Sequence, residues 1–123
     1  MRRVAALAAA LALSSLAAAA ASDWRAHVPA KDRAIRDPLP LTTDNAAAGL
    51  ALYRRNCTGC HGANAEGRRH KPSLRSEDVR SASDGELFWL LRNGSLAHGM
   101  PSWSRLPEPQ CWQLIQYLRT LPE

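Results

Sequence analysis

Beyond residue 43 the apolar positions recur at helical spacing, with no run of alternating strand-like residues. Cys111, Leu114, Ile115 and Leu118 stand at i, i+3, i+4 and i+7, which predicts one apolar stripe on a last helix from about Pro107 to Thr120. Pro107 and Pro109 are compatible with that helix because they fall in its first turn. Upstream, Ser83-Asp84-Gly85-Glu86 has the form of a capping box, Leu87, Leu90 and Leu91 follow at helical spacing, and Asn93-Gly94 supplies a stop. Phe88 and Trp89 widen the apolar surface of this helix, and core packing is the expected role of Phe88. A first helix is predicted from Ala46 to about Asn56, capped by Asp44 or Asn45, with Gly49, Leu50 and Tyr53 on one side. A helical glycine costs up to about 1 kcal/mol relative to alanine, so Gly49 predicts the close approach of another element, and the last helix is the candidate.

The pattern changes towards the start of the chain. Arg2 and Arg3 precede a short apolar run from Val4 to Leu16, and Ala19-Ala20-Ala21 supplies small side chains suited to a signal peptidase. Residues 1–21 therefore read as a signal peptide cut near Ala21, and the expected location is the periplasm. The run is shorter than the roughly 20 residues that span a bilayer, so no stable membrane insertion is expected. Residues 22–43 read as an irregular leader punctuated by Pro29, Pro38 and Pro40, with Trp24 and Leu39 available to pin it to the domain surface. Residues 44–123 form the domain proper.

Cleavage leaves 102 of the 123 residues, enough for one small domain with a modest core. It also removes Arg2 and Arg3 from the 16 basic residues, leaving 14 against 11 acids, a net charge of +3 in place of +5. Neither that balance nor any basic stripe with interleaved aromatics points to nucleic acid.

The candidate chemistry lies in Cys57-Thr58-Gly59-Cys60-His61. Cys-x-x-Cys followed directly by His is the attachment signature of a c-type haem: two thiols at this spacing can bond the two vinyl groups of one porphyrin, and the histidine is carried under the ring. A dithiol redox motif would be expected near a βαβ pattern, which is missing. A zinc site using His61 or His70 would need a second pair of ligands at zinc spacing, which is also missing. Cys111 is left over, as a small buried apolar side chain or as a thiol linking two chains. For the far side of an iron held by His61, Met100 is the single methionine remaining after processing. It sits in an interhelical loop between Gly99 and Pro101, and His98 is its rival.

Taken together, Gly49 and Tyr53 ahead of the Cys57–His61 motif, Pro72 with Leu74 beyond it, Gly99-Met100-Pro101, and Leu114 with Tyr117 resemble class I (mitochondrial-type) cytochrome c. Within that family they are similar to the small bacterial periplasmic single-haem carriers. The resemblance covers roughly Asp44 to Leu121. It implies an all-α fold of about three to five helices around one covalently attached haem c, with the first and last helices crossing so that Gly49 meets Leu114 and Tyr117. It implies thioether bonds to Cys57 and Cys60 and axial ligation by His61 and Met100. Tyr53, Pro72, Leu74 and Trp103 would form the haem environment, the Pro72 carbonyl accepting from His61 and the Trp103 indole donating to a propionate. Lys71 departs from the family, which often has glycine before that proline; Cys111 and the leader depart from it as well.

Six-coordinate His/Met iron favours one-electron exchange over binding of oxygen or peroxide. The resemblance therefore implies a soluble, monomeric electron carrier that is not itself an enzyme. Asp37-Pro38-Leu39-Pro40 and Ser83 to Trp89 resemble small cytochromes that accept electrons from periplasmic dehydrogenases such as quinoprotein alcohol dehydrogenases, and the expected acceptor is an oxidase or another cytochrome. Arg68, Arg69 and Lys71 are either a docking site for an acidic partner or a solvated loop. The competing functions are a haem subunit of a periplasmic oxidoreductase complex and a sensor haem with a labile sixth ligand.

Overall fold

The computed structural model describes residues 23–123, so the signal-peptide segment and its cleavage site lie outside the described residues. A 3-10 turn at Asp23–His27 leads to α1 (Ala30–Arg33), α2 (Thr43–Asn56), α3 (Thr58–His61), α4 (Glu77–Arg80) and α5 (Asp84–Asn93). A second 3-10 turn at Leu96–His98 and then α6 (Glu108–Arg119) complete the order, with no β-strand among the described residues. Three helices of ten residues or more carry the architecture, and the other three are single turns.

Helix α2 begins earlier than its sequence signals suggest. Thr42, in extended backbone, is the cap, its hydroxyl accepting from the Asn45 N–H at 3.1 Å. Asp44 instead lies in the first turn, where its charge suits the helix dipole. Asn45 is committed elsewhere: its amide donates to the Pro40 carbonyl at 2.9 Å and its oxygen accepts from Gln113 at 3.2 Å. Helix α5 has the complete capping box, Ser83 Oγ accepting from the Glu86 N–H and Glu86 accepting from the Ser83 N–H, and ends at Gly94 with φ +70°.

Helices α2 and α6 cross at Gly49. A Cβ there would overlap the Gln113 carbonyl and come within 2.9 Å of Tyr117 Cβ. The glycine thus meets the backbone of α6 and Tyr117, and Gln113 takes the place expected for Leu114. Around the crossing, Leu52, Tyr53, Leu114, Ile115 and Tyr117 are buried, with the two tyrosine rings 5.1 Å apart. Cys111 is fully buried in this core, and Phe88 stacks on the buried Trp112 at 4.1 Å.

The leader carries more structure than its composition predicts. Its two helical pieces are too short to show a period, and tertiary contacts hold them. Gly85 leaves room for the Asp32 carbonyl, Ser83 Oγ donates to the Arg33 carbonyl at 2.9 Å, and Arg25 reaches the buried Glu86 carboxylate at 3.1 Å. Burial acts to raise the Glu86 pKa, but the Ser83 N–H and the Arg25 guanidinium outweigh it and hold the carboxyl below its ordinary range. Trp24 and Leu39 pack on the core, and Gln116 ties Asp37 and the Pro40 carbonyl to α6.

Candidate functional site

Helix α2 ends where the chemistry begins. Cys57 caps α2, with its N–H on the Tyr53 carbonyl at 2.8 Å, and immediately starts the single turn α3. Cys60 and His61 lie on that turn, their N–H groups bonded to the Cys57 carbonyl at 3.2 and 2.9 Å. Gly62, with φ +89°, turns the chain away, and its carbonyl accepts from the buried Tyr53 hydroxyl at 2.6 Å. Burial together with the neighbouring Tyr117 holds that phenol above its usual range. Burial, reinforced by Cys60, pushes the Cys57 thiol up to about 11, so it is protonated at neutral pH.

The next loop returns under His61. The Gly67 N–H bonds the His61 carbonyl at 2.7 Å, the Leu74 N–H bonds Ala65 at 2.9 Å, and Arg68 and Lys71 close a tight turn between them. Gly67 has φ +87°, and a Cβ there would press on the Lys71 carbonyl at 2.8 Å. The loop sets the Pro72 carbonyl 2.9 Å from His61 Nδ1. A carbonyl can only accept, so Nδ1 is the donor, and the neutral tautomer this bond selects has its free lone pair on Nε2.

The methionine loop is held from α5. Ser95 and Met100 exchange backbone hydrogen bonds at 2.9 and 3.0 Å, the Trp103 N–H bonds the Leu91 carbonyl at 2.7 Å, and Ser102 Oγ donates to the Arg92 carbonyl at 2.6 Å. Lys71 Nζ donates across to the His98 carbonyl at 3.2 Å, joining the two loops. Lys71 thus has an internal use, while Arg68 and Arg69 are exposed.

These segments enclose a mainly apolar cavity of about 320 Å³. Cys57, Cys60, His61 and Met100 all stand in its wall, and so do Tyr53, Pro72, Leu74 and Trp103. His98 lines it as well, but it is exposed and its Nδ1 lies 3.0 Å from Ser95 Oγ, whereas Met100 is half-buried against the core. The donor set suits a porphyrin: two thiols one helical turn apart, an imidazole with Nε2 available, a thioether, and apolar walls. Among the described residues no group of three or more His, Cys, Asp or Glu side chains could hold a metal ion, so the zinc alternative finds no ligand set there.

Several lining residues carry no signal of the site in the sequence, among them Ser76, Asp78 and Val79, and Trp24 of the leader. Trp24 of the leader and Asp78 of α4 meet in the wall through a 3.0 Å hydrogen bond. They are 54 residues apart, and no local pattern links them.

Residues 44–118 match the family model described as cytochrome c oxidase, cbb3-type, subunit III. Among solved structures the chain is similar to cytochrome cL from the marine methylotrophic bacterium Methylophaga aminisulfidivorans. The identity is 26%, the match covers 63% of this chain and 53% of that one, and the TM-score is 0.55. Cytochrome cL from Hyphomicrobium denitrificans is 22% identical over 79% of this chain and 65% of its own, with a TM-score of 0.55. The KustC0563 c-type cytochrome is 18% identical over 61% of this chain and 98% of its own, with a TM-score of 0.54. The chain thus spans about half the length of the first of these proteins and just under two thirds of the second. No curated protein matches it.

Proposed function

The chain belongs to the family of cytochrome c oxidase, cbb3-type, subunit III, as a small class I c-type cytochrome with a single covalently bound haem c; from that premise we propose that it is a periplasmic one-electron carrier with His/Met-ligated iron. Haem c supplies a one-electron ferrous/ferric couple. Cys57 and Cys60 would hold the group covalently, and His61 and Met100 would supply the ligands to its iron.

The observation that supports this most directly is the hydrogen bond from His61 Nδ1 to the Pro72 carbonyl at 2.9 Å, in a cavity whose wall also holds Met100. It orients the ring and leaves Nε2 as the one nitrogen able to ligate. Met100 is preferred over His98 because its side chain packs on the core while His98 is exposed. Iron ligated by both side chains would leave no open position for a small ligand, which supports one-electron exchange over catalysis.

The proposed donor is a periplasmic dehydrogenase, with a quinoprotein alcohol dehydrogenase as the candidate; the proposed acceptor is an oxidase or another cytochrome. The likeness to a cytochrome 26% identical supports the carrier reading, and the donor is proposed from the stretches at residues 37–40 and 83–89. Exposed Arg68 and Arg69 offer positive charge to an acidic partner. No helix among the described residues is long and apolar enough to cross a membrane.

The deciding experiment is the spectrum of the purified ferric and ferrous protein, followed by carbon monoxide addition to the reduced form. Low-spin spectra, a methionine-to-iron band in the ferric state and no carbon monoxide binding near neutral pH are expected. Rapid carbon monoxide binding would replace the carrier with a sensor haem. The family description, which names an oxidase subunit, favours a second reading as the haem subunit of an oxidoreductase complex. Purification from native membranes and periplasm separates the two, since a subunit stays with its complex.

A further inference from the structure

Trp24 precedes the domain shared with the family, yet its ring stands in the same cavity wall as Cys57, His61 and Met100. Its indole Nε1 donates to Asp78 Oδ2 at 3.0 Å, and the Arg25 guanidinium lies 3.8 Å from Asp78 Oδ1. Asp78 is the one carboxylate among the described residues lining the cavity. The leader is fastened so that this contact is held. Arg25 also binds Ser81 Oγ at 3.0 Å and the buried Glu86 at 3.1 Å, and Arg33 donates to the Arg25 carbonyl at 2.8 Å.

We propose that the leader is a working part of the haem site, with Trp24 as a positioning residue that hydrogen-bonds Asp78 and thereby raises the reduction potential. The inference rests on the haem-carrier reading above. An ionised carboxylate in an apolar wall favours the ferric state through its Coulomb attraction to the extra positive charge. An N–H donated to that carboxylate, together with a guanidinium beside it, draws its charge density away from the cavity and weakens the effect. The indole ring also closes part of the wall against water, which would favour ferric iron in the same direction. Burial and hydrogen bonding are two of the means by which a protein sets a haem potential. Trp24 applies both from outside the family domain.

The test is a double-mutant cycle on the full-length, haem-loaded protein, read as midpoint potential in a redox titration. Trp24→Phe keeps a ring in the wall and removes the N–H; Asp78→Asn removes the charge. We expect a negative shift in Trp24→Phe, a positive shift in Asp78→Asn, and no Trp24→Phe shift in the Asp78→Asn background. An unchanged potential in Trp24→Phe overturns the inference. So does an equal shift in both backgrounds, because the ring would then act without the carboxylate. If Asp78→Asn does not fold, Asp78→Ser takes its place in the cycle. The controls separate the two levels: wild-type protein lacking covalent haem or the methionine-to-iron band defeats the carrier reading, whereas wild type with both features and a failed cycle defeats only the role of the leader.

Discussion

Replacing Gly49 by alanine is expected to destabilise the protein, although alanine is the better helix former. The higher helix propensity of alanine would by itself stabilise α2 by about 1 kcal/mol. Against this, the new methyl group would overlap the Gln113 carbonyl and crowd Tyr117 Cβ at 2.9 Å, where α6 crosses. Overpacking in a core costs about 1–3 kcal/mol, and the upper end applies because a main-chain carbonyl cannot rotate aside as a side chain can. The net loss is then about 2 kcal/mol, which in a domain near 100 residues lowers Tm by about 8–16 °C. Thermal unfolding followed by helical circular dichroism on the haem-loaded protein measures it. Gly59→Ala is the control: it lies in α3, and a Cβ there meets nothing within 4 Å, so its Tm should match or slightly exceed wild type. If Gly49→Ala melts at or above the wild-type temperature, the helices do not cross at this glycine and the packing argument fails.

Three further outcomes are expected. Met100→Ala should retain covalent haem, lose the methionine-to-iron band, shift the potential downwards and admit carbon monoxide, while His98→Ala leaves the spectrum nearly unchanged; the opposite result exchanges the two ligands. Glu86 has a lowered pKa when folded, so its stabilisation is complete above the ordinary carboxylate value of about 4.3 and is lost as pH falls through the folded value. Glu86→Gln should therefore cost about 2 kcal/mol at pH 7, less than the roughly 3–5 kcal/mol of a fully buried pair because Arg25 is about one-third exposed, and its Tm should vary less than wild type below pH 4; equal acid sensitivity in both proteins would contradict this. Cys111 is fully buried, and burial also raises its thiol pKa, so it should resist alkylation in the folded protein, react once denatured, and leave the chain monomeric on non-reducing electrophoresis. Rapid labelling under native conditions would show that the face of α6 opens.

Whatever depends on short-range pattern could be read before the structure. Ser83 and Glu86 are three residues apart, so the capping box and the start of α5 follow from local geometry. Cys111, Leu114 and Ile115 gave the buried face of α6 because helical spacing alone places them together. Thr42 was missed as a cap because Asp44 and Asn45 are equally good on propensity, and the choice went to the residue left in extended backbone once Asn45 was drawn to Pro40 and Gln113. The turns at Asp23–His27 and α1 were missed because one turn has no period to detect, and docking holds it rather than propensity.

The sequence by itself determined the chemistry: Cys57, Cys60 and His61 lie within five residues, and Met100 is the single methionine once residues 1–21 are set aside. Spacing that close settles that Cys57, Cys60 and His61 can act together whatever the rest of the chain does, whereas Met100, 39 residues beyond His61, reaches the same cavity wall only through the fold. The environment of that chemistry was decided only by the tertiary structure. Pro72 beneath His61, Lys71 across to His98, and Trp24 on Asp78 join segments 11 to 54 residues apart. Each contact exists because the α2–α6 crossing and the docked leader fix where distant backbone can run. No periodicity encodes a meeting of that kind; it arises from the one way these helices can pack.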